Sequence, residues 1–109
     1  MSALIDIGAL NRRLVLQAPA NIDDGAGGFT RDFETVAPLW GSVTTLSARA
    51  EIAADTLGAA LRLRIVIRFR GDVTTRHRLL DGAHIYSLIA VRESEGRRFL
   101  EIDAEERQD

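Results

Sequence analysis

The strongest periodicity in the chain runs from Leu61 to Arg70. Leu61, Leu63, Ile65, Ile67 and Phe69 alternate with Arg62, Arg64, Val66, Arg68 and Arg70, the two-residue period of a strand with one face in a core and the other in water. Arg12 to Gln17 has the leucine and β-branched content of another strand, expected to stop at Pro19. Ala20 to Gly28 contains Asn21, Asp23, Asp24, Gly25, Gly27 and Gly28 and predicts an exposed loop. Phe29 to Val36 reads as a short strand anchored by Phe29 and Phe33. After Pro38, Trp40, Ser42 and Thr44 share one face and Leu39, Gly41 and Val43 the other, which places Trp40 at the end of a core.

Ser47 to Leu57 is the one segment with a helical reading, with Ser47 as N-cap, frequent alanine, and Gly58 where a left-handed residue ends a helix. Alanine buries little area, so such a helix needs docking against a larger body, and a mobile loop fits the same residues. Downstream, Gly71-Asp72 turns the chain, Thr75 to Leu80 is a strand, and Asp81-Gly82 signals a type I′ hairpin into Ala83 to Glu93. That turn sets Leu79 opposite His84 and His77 opposite Tyr86, with both histidines on one face. Ser94 to Gly96 then leads into a strand from Arg98 to Glu105. The expected fold is all-β: a small antiparallel β-barrel or sandwich of about six to seven strands with one short helix or loop insertion near 46–60.

With 109 residues, 46% of them hydrophobic and 28% charged, the chain has the composition of one globular domain spanning 1–109. At this size roughly 65% of the unfolded surface is buried on folding, enough for one core but not for a second domain over a large cleft. A net charge of −2 and a pI near 5.7 give no global attraction to nucleic acid or anionic membrane, so any such contact must be a local patch. The absence of cysteine excludes disulfides, thiolate nucleophiles and thiol metal sites. The N-terminus has no basic region followed by an apolar one, and no run approaches the ~18 apolar residues of a membrane span, so an aqueous intracellular setting is expected. All 14 basic residues are arginine, which reflects either a GC-rich genome or bidentate pairing at interfaces.

Candidate chemistry is sparse. Two histidines on adjacent strands make at most half of a zinc site, which needs at least three protein ligands, and no Ser-His-Asp arrangement is indicated. The Asp23 to Gly28 loop lacks the lysine of a phosphate loop and the ligand spacing of a calcium loop. Glu93 and Glu95 read as solvated charges at a hairpin end. The arginine ladder needs water or carboxylates, and Glu101, Asp103 and Glu105 share one face of a later strand. Basic and acidic ladders can pair within a subunit or between copies, where they fix register; a third option is that the arginines line a passage for DNA. The interface candidates are therefore Arg62, Arg64, Arg68, Arg70, Glu101, Asp103 and Glu105.

The order of motifs adds to this reading. Gly8-x-Leu10-x-x-Arg13-Leu14, the loop with Gly27-Gly28 and Phe33, Val36-Ala37-x-Leu39-Trp40-Gly41-x-Val43, Ser47 to Glu51, Ile67-Arg68-Phe69-Arg70 and Asp81-Gly82-x-x-Ile85-Tyr86-x-Leu88 together resemble the head–tail joining proteins of tailed bacteriophages and gene transfer agents. These are also called head-completion, head-closure or stopper proteins, and the resemblance covers roughly residues 8 to 106. It implies a small β-barrel that assembles into a hexameric or dodecameric ring in the neck, joins a portal-side adaptor to a tail terminator or tail tube protein, and helps retain packaged DNA. It implies a virion component assembled in the bacterial cytoplasm, with room for non-specific DNA contact in the channel and with no membrane, catalysis or cofactor. It also implies that an insertion between barrel strands faces the channel. By location this is 46–60, with Ser47, Arg49, Glu51 and Asp55 as polar candidates. The residues leave a second reading, a monomeric small-barrel nucleic-acid-binding module, which calls for aromatics interleaved with the basic strand. Only Phe69 is there, and its parity puts it on the core face.

Overall fold

The computed structural model describes residues 7–23, 25, 27–53 and 56–108. After a short 3-10 turn at Ile7–Ala9 come six strands: β1 (Arg12–Asp23), β2 (Phe29–Ala53), β3 (Thr56–Arg68), β4 (Arg78–Asp81), β5 (His84–Ser94) and β6 (Phe99–Gln108). They close into a barrel in the order β1-β2-β3-β6-β5-β4, every neighbouring pair antiparallel. Short β4 completes the circle by pairing Val15↔Leu80 on one side and Leu80↔Ile85 on the other, so the barrel wall has no free edge there.

The alternation in β3 fills the barrel as its period requires. Leu63, Ile65 and Ile67 are buried with Leu14, Leu16, Leu79, Tyr86, Leu88, Leu100, Ile102 and Ala104. Gly41 of β2 also points inward. A Cβ built there lies 2.8 Å from Leu14 Cδ1 and 3.0 Å from both Ile67 Cγ2 and the Val66 carbonyl oxygen, so glycine allows β1, β2 and β3 to approach. Three bulges bend the wall: the register shifts between Leu16 and Gln17, between Thr45 and Ser47, and between Leu88 and Ala90. The extra residues are Val36, Leu46 and Ile89, and all three are exposed large hydrophobics. A bulge takes a residue out of the in–out alternation, so their exposure follows from curvature.

Several expectations are corrected. The segment Ser47 to Leu57 is not a helix: β2 runs on to Ala53 and pairs with β3 from Ser47↔Arg62 to Ala53↔Thr56. Alanine is the best helix former, but intrinsic propensity is a weak determinant and loses to a ladder already running in both flanking strands. β1 passes Pro19 and continues to Asp23 opposite Phe29, so much of the expected loop is strand. β4 begins at Arg78 rather than Thr75. The β4–β5 turn is Gly82–Ala83, with Asp81 paired to His84 and Leu79 to Tyr86; its left-handed residue is Gly82 (φ 61°) at the first central position, as in a type II′ turn. This one-residue slip breaks the expected histidine pairing. His77 lies before β4 and is held locally, its Nδ1 accepting from the Thr74 N–H at 3.2 Å. Trp40 does not cap the core; it is 53% exposed on the outer wall, beneath the Arg13 guanidinium at 5.3 Å.

Candidate functional site

The outer face of β3, β6 and β5 is a charged lattice. Register places Arg62 beside Glu105, Arg64 beside Asp103, and Val66 beside Glu101. The ion pairs follow: Arg62–Glu105 at 3.8 Å, Arg64–Asp103 at 3.5 Å and Arg92–Asp103 at 2.8 Å. Hydrogen bonding from Arg92 holds the Asp103 carboxyl below its ordinary range, with burial opposing and Arg64 adding to the effect. The structure thus brings Arg62, Arg64, Asp103 and Glu105 together within one subunit. Arg70 leaves the ladder: it donates from Nε and Nη2 to the two carboxylate oxygens of Asp72, both at 3.0 Å, which lowers the Asp72 pKa. Arg68 is exposed beside a cleft lined by Leu10, Asn11 and Trp40. Glu101 makes no ion pair among the described residues and lies between Val66 and Arg92 in the ladder.

The second feature is the outer part of the β2–β3 hairpin. Beyond Arg12↔Gly41, β2 has only β3 as partner, and β3 has β6 only as far as Ala59↔Gln108. Among the described residues the ladder from Glu51↔Gly58 to Ala53↔Thr56 is therefore two strands wide, and the β2 edge past Gly41 has no partner. Two strands alone are marginally stable in water, and an open edge invites pairing. The backbones of Ser47, Arg49 and Glu51 lie on this part of β2, opposite Arg62, Ala60 and Gly58. Asp55 lies outside the described residues.

A third feature was not anticipated. At one mouth of the barrel, Arg12 (β1), Asp81 (β4), His84 and Tyr86 (β5) and Glu106 (β6) converge. Glu106 is 8% exposed, and its Oε2 lies 2.5 Å from His84 Nδ1. Arg12 donates to Asp81, and the rings of His84 and Tyr86 stack with centroids 6.4 Å apart. Burial raises the Tyr86 pKa, with the charges of Asp81 and Glu106 and a hydrogen bond to Asp81 adding to it. A polar cluster here closes the end of an apolar barrel with its charges paired, as buried charges must be. No group of three metal-ligating side chains occurs among the described residues. The only sequence signal for the cluster was inward parity at strand ends, which the misplaced hairpin register concealed.

The chain matches the phage head completion protein family over residues 5–107. It belongs to that family. Its fold is similar to a chain of the virion of a native gene transfer agent particle, with a TM-score of 0.75 and 28% identity over 89% of this chain and 94% of that one. It is also similar to the solution structure of protein SF1141 from Shigella flexneri 2a, with a TM-score of 0.69 and 25% identity over 94% and 96% of the two chains. No curated protein matches significantly.

As a head completion protein the chain is a structural virion component, in keeping with a rigid barrel whose polar groups pair with one another. Among the described residues no helix is long and apolar enough to cross a membrane.

Proposed function

We propose that the chain forms a ring in the head–tail connector, joins a portal-side adaptor to the tail terminator or tail tube protein, and helps retain packaged DNA. The observation that carries this reading is the β2–β3 ribbon in a head completion protein: a ladder that outruns the barrel wall and, among the described residues, is two strands wide with one open edge. The barrel supplies a rigid body. The ribbon needs a surface it lacks in the isolated subunit, and ring neighbours supply one. Ser47, Arg49, Glu51 and Asp55 are the residues proposed to face the channel, where repetition around the ring multiplies each charge against DNA.

The arginine ladder enters this reading in a reduced role. Arg62 and Arg64 already pair with Glu105 and Asp103, so they offer a neighbour a paired lattice rather than free cations; Arg68 and Glu101 are its members without a salt bridge among the described residues. Particles produced without this chain test the proposal. Full heads that fail to join tails, and lose DNA, are expected. Tailed particles that deliver DNA at normal yield would contradict it.

A further inference from the structure

The outer wall has a second face, opposite the charged lattice. Ile85, Leu80, Val15 and Pro38 stand in register on β5, β4, β1 and β2, through the pairs Leu80↔Ile85, Val15↔Leu80 and Val15↔Pro38. Their strand neighbours Leu14, Leu16, Leu79 and Tyr86 are buried, so these four side chains point outward. Ile85 is 46% exposed and Pro38 is exposed; Leu80 and Val15 are half-buried between them. At the strand spacing, such a row spans about 15 Å.

Its flanks are arginine on aromatic rings. On one side the Arg13 guanidinium lies 5.3 Å from the Trp40 ring centroid; on the other Arg78 lies 3.9 Å from that of Phe33. Arg78 also donates to Gln17 Oε1 at 2.8 Å. Neither arginine has a carboxylate partner among the described residues, while Arg62, Arg64 and Arg92 on the other face all do. Apolar residues, aromatics and arginine without carboxylates are the composition of the centre of a protein–protein interface.

We infer that this strip is the surface through which one copy of the chain docks on the β3–β6 face of a second copy. The inference rests on the ring proposed above and names its contact. In the closed order β1-β2-β3-β6-β5-β4, β1 stands across the barrel from β6 and β4 from β3. Val15 and Leu80 are therefore on the side opposite Val66 and Glu101. Charge is complementary at these residues: the strip side offers Arg13 and Arg78, and the far side offers Glu101, which makes no salt bridge among the described residues and has Arg92 opposite it in the ladder, beside the outward Val66. A contact between two different, opposed patches is heterologous and propagates, closing into a ring when the rotation permits. The centre of the strip is apolar and gives phosphates nothing to bind, which favours protein over DNA.

The opposed geometry makes a specific test. Sedimentation velocity of the full-length wild-type chain at rising concentration is expected to show assembly beyond a dimer. Leu80→Asp, or Ile85→Asp at the more exposed position, destroys the strip but keeps the far face; Glu101→Arg does the reverse. Each variant alone is expected to be monomeric, with a circular dichroism spectrum and thermal melt like those of the wild type. A strip variant mixed with Glu101→Arg retains one intact contact, and a one-to-one dimer is the expected limit. The inference is overturned by a wild-type chain that stays monomeric, by strip variants that assemble like wild type, or by mixtures no more associated than their components. A DNA fragment that binds wild type and not the strip variants, without self-association, would assign the strip to nucleic acid and overturn it too. Failure of the ring reading is seen separately, as absence of the chain from the neck of particles.

Discussion

His84 Nδ1 lies 2.5 Å from Glu106 Oε2 at the mouth of the barrel, and the carboxylate side is the buried one, with side chains 10% exposed at Glu106 and 55% at His84. Truncating the imidazole leaves a buried acceptor without its partner. His84→Ala is therefore expected to lose about 1–3 kcal/mol of stability. Glu106→Gln keeps the volume and an acceptor oxygen and should lose less. Urea unfolding of both variants measures this, and an unchanged midpoint for His84→Ala would contradict the assignment of the pair as the closure of this end.

Gly41 is expected to tolerate no side chain. Two of the three atoms that a Cβ would meet are ends of the fully packed Leu14 and Ile67, and the third is the Val66 carbonyl in the backbone of β3. Gly41→Ala should cost about 1–3 kcal/mol through overpacking, and Gly41→Val more. Thermal melts check this; a variant as stable as wild type would mean that β1 and β3 separate easily.

The pH dependence has two limbs of opposite sign. Asp103 and Asp72 have carboxyl groups lowered from an ordinary value of 3.8, chiefly by hydrogen bonds from Arg92 and Arg70. Their contribution is present above that value and is lost as pH falls through the lowered folded-state values. Tyr86 is raised from 10.0, chiefly by burial. Its contribution is complete below 10.0 and is lost as pH rises through the higher folded value. Asp103→Asn should flatten the acid limb and Tyr86→Phe the alkaline limb, each leaving the other in place. Chemical denaturation across pH tests both, and an alkaline limb unchanged in Tyr86→Phe would remove the tyrosine from the account.

Replacing the ribbon from 49 to 58 by a short turn should leave the barrel intact, because the pairing of β3 with β6 that builds the wall ends at Ala59↔Gln108, outside that span. The expected result is an unchanged spectrum and a melt close to wild type, with particles that join tails but lose DNA. Normal DNA retention would take the ribbon out of the channel.

The wall of the barrel was legible wherever one face of a strand is buried and the other wet. Leu61 to Arg70 announces β3, and the acidic residues of β6 face its arginines as the pattern allows. The alternation of Trp40, Ser42 and Thr44 against Gly41 is legible in the sequence, but the place of Trp40 on the outer wall is not, because a lone sequence does not show that Arg13 of β1 covers its ring. The ribbon is not legible in the sequence because its alanines carry no alternation and favour helix, while what decides its form is continuity with β2 and β3. The mouth cluster stayed hidden because its members come from four strands, and a turn placed one residue early moves His84 away from Asp81. The outer strip was invisible for the same reason: Val15, Pro38, Leu80 and Ile85 become neighbours only when the barrel closes.

The most direct test of the central claim is an imaging reconstruction of the neck of the intact particle, with density assigned to this chain. The expected result is a closed ring of these barrels between portal-side adaptor and tail, the ribbon at 46–60 directed to the channel. Absence of the chain from the neck, or barrels there that make no contact with one another, would contradict it.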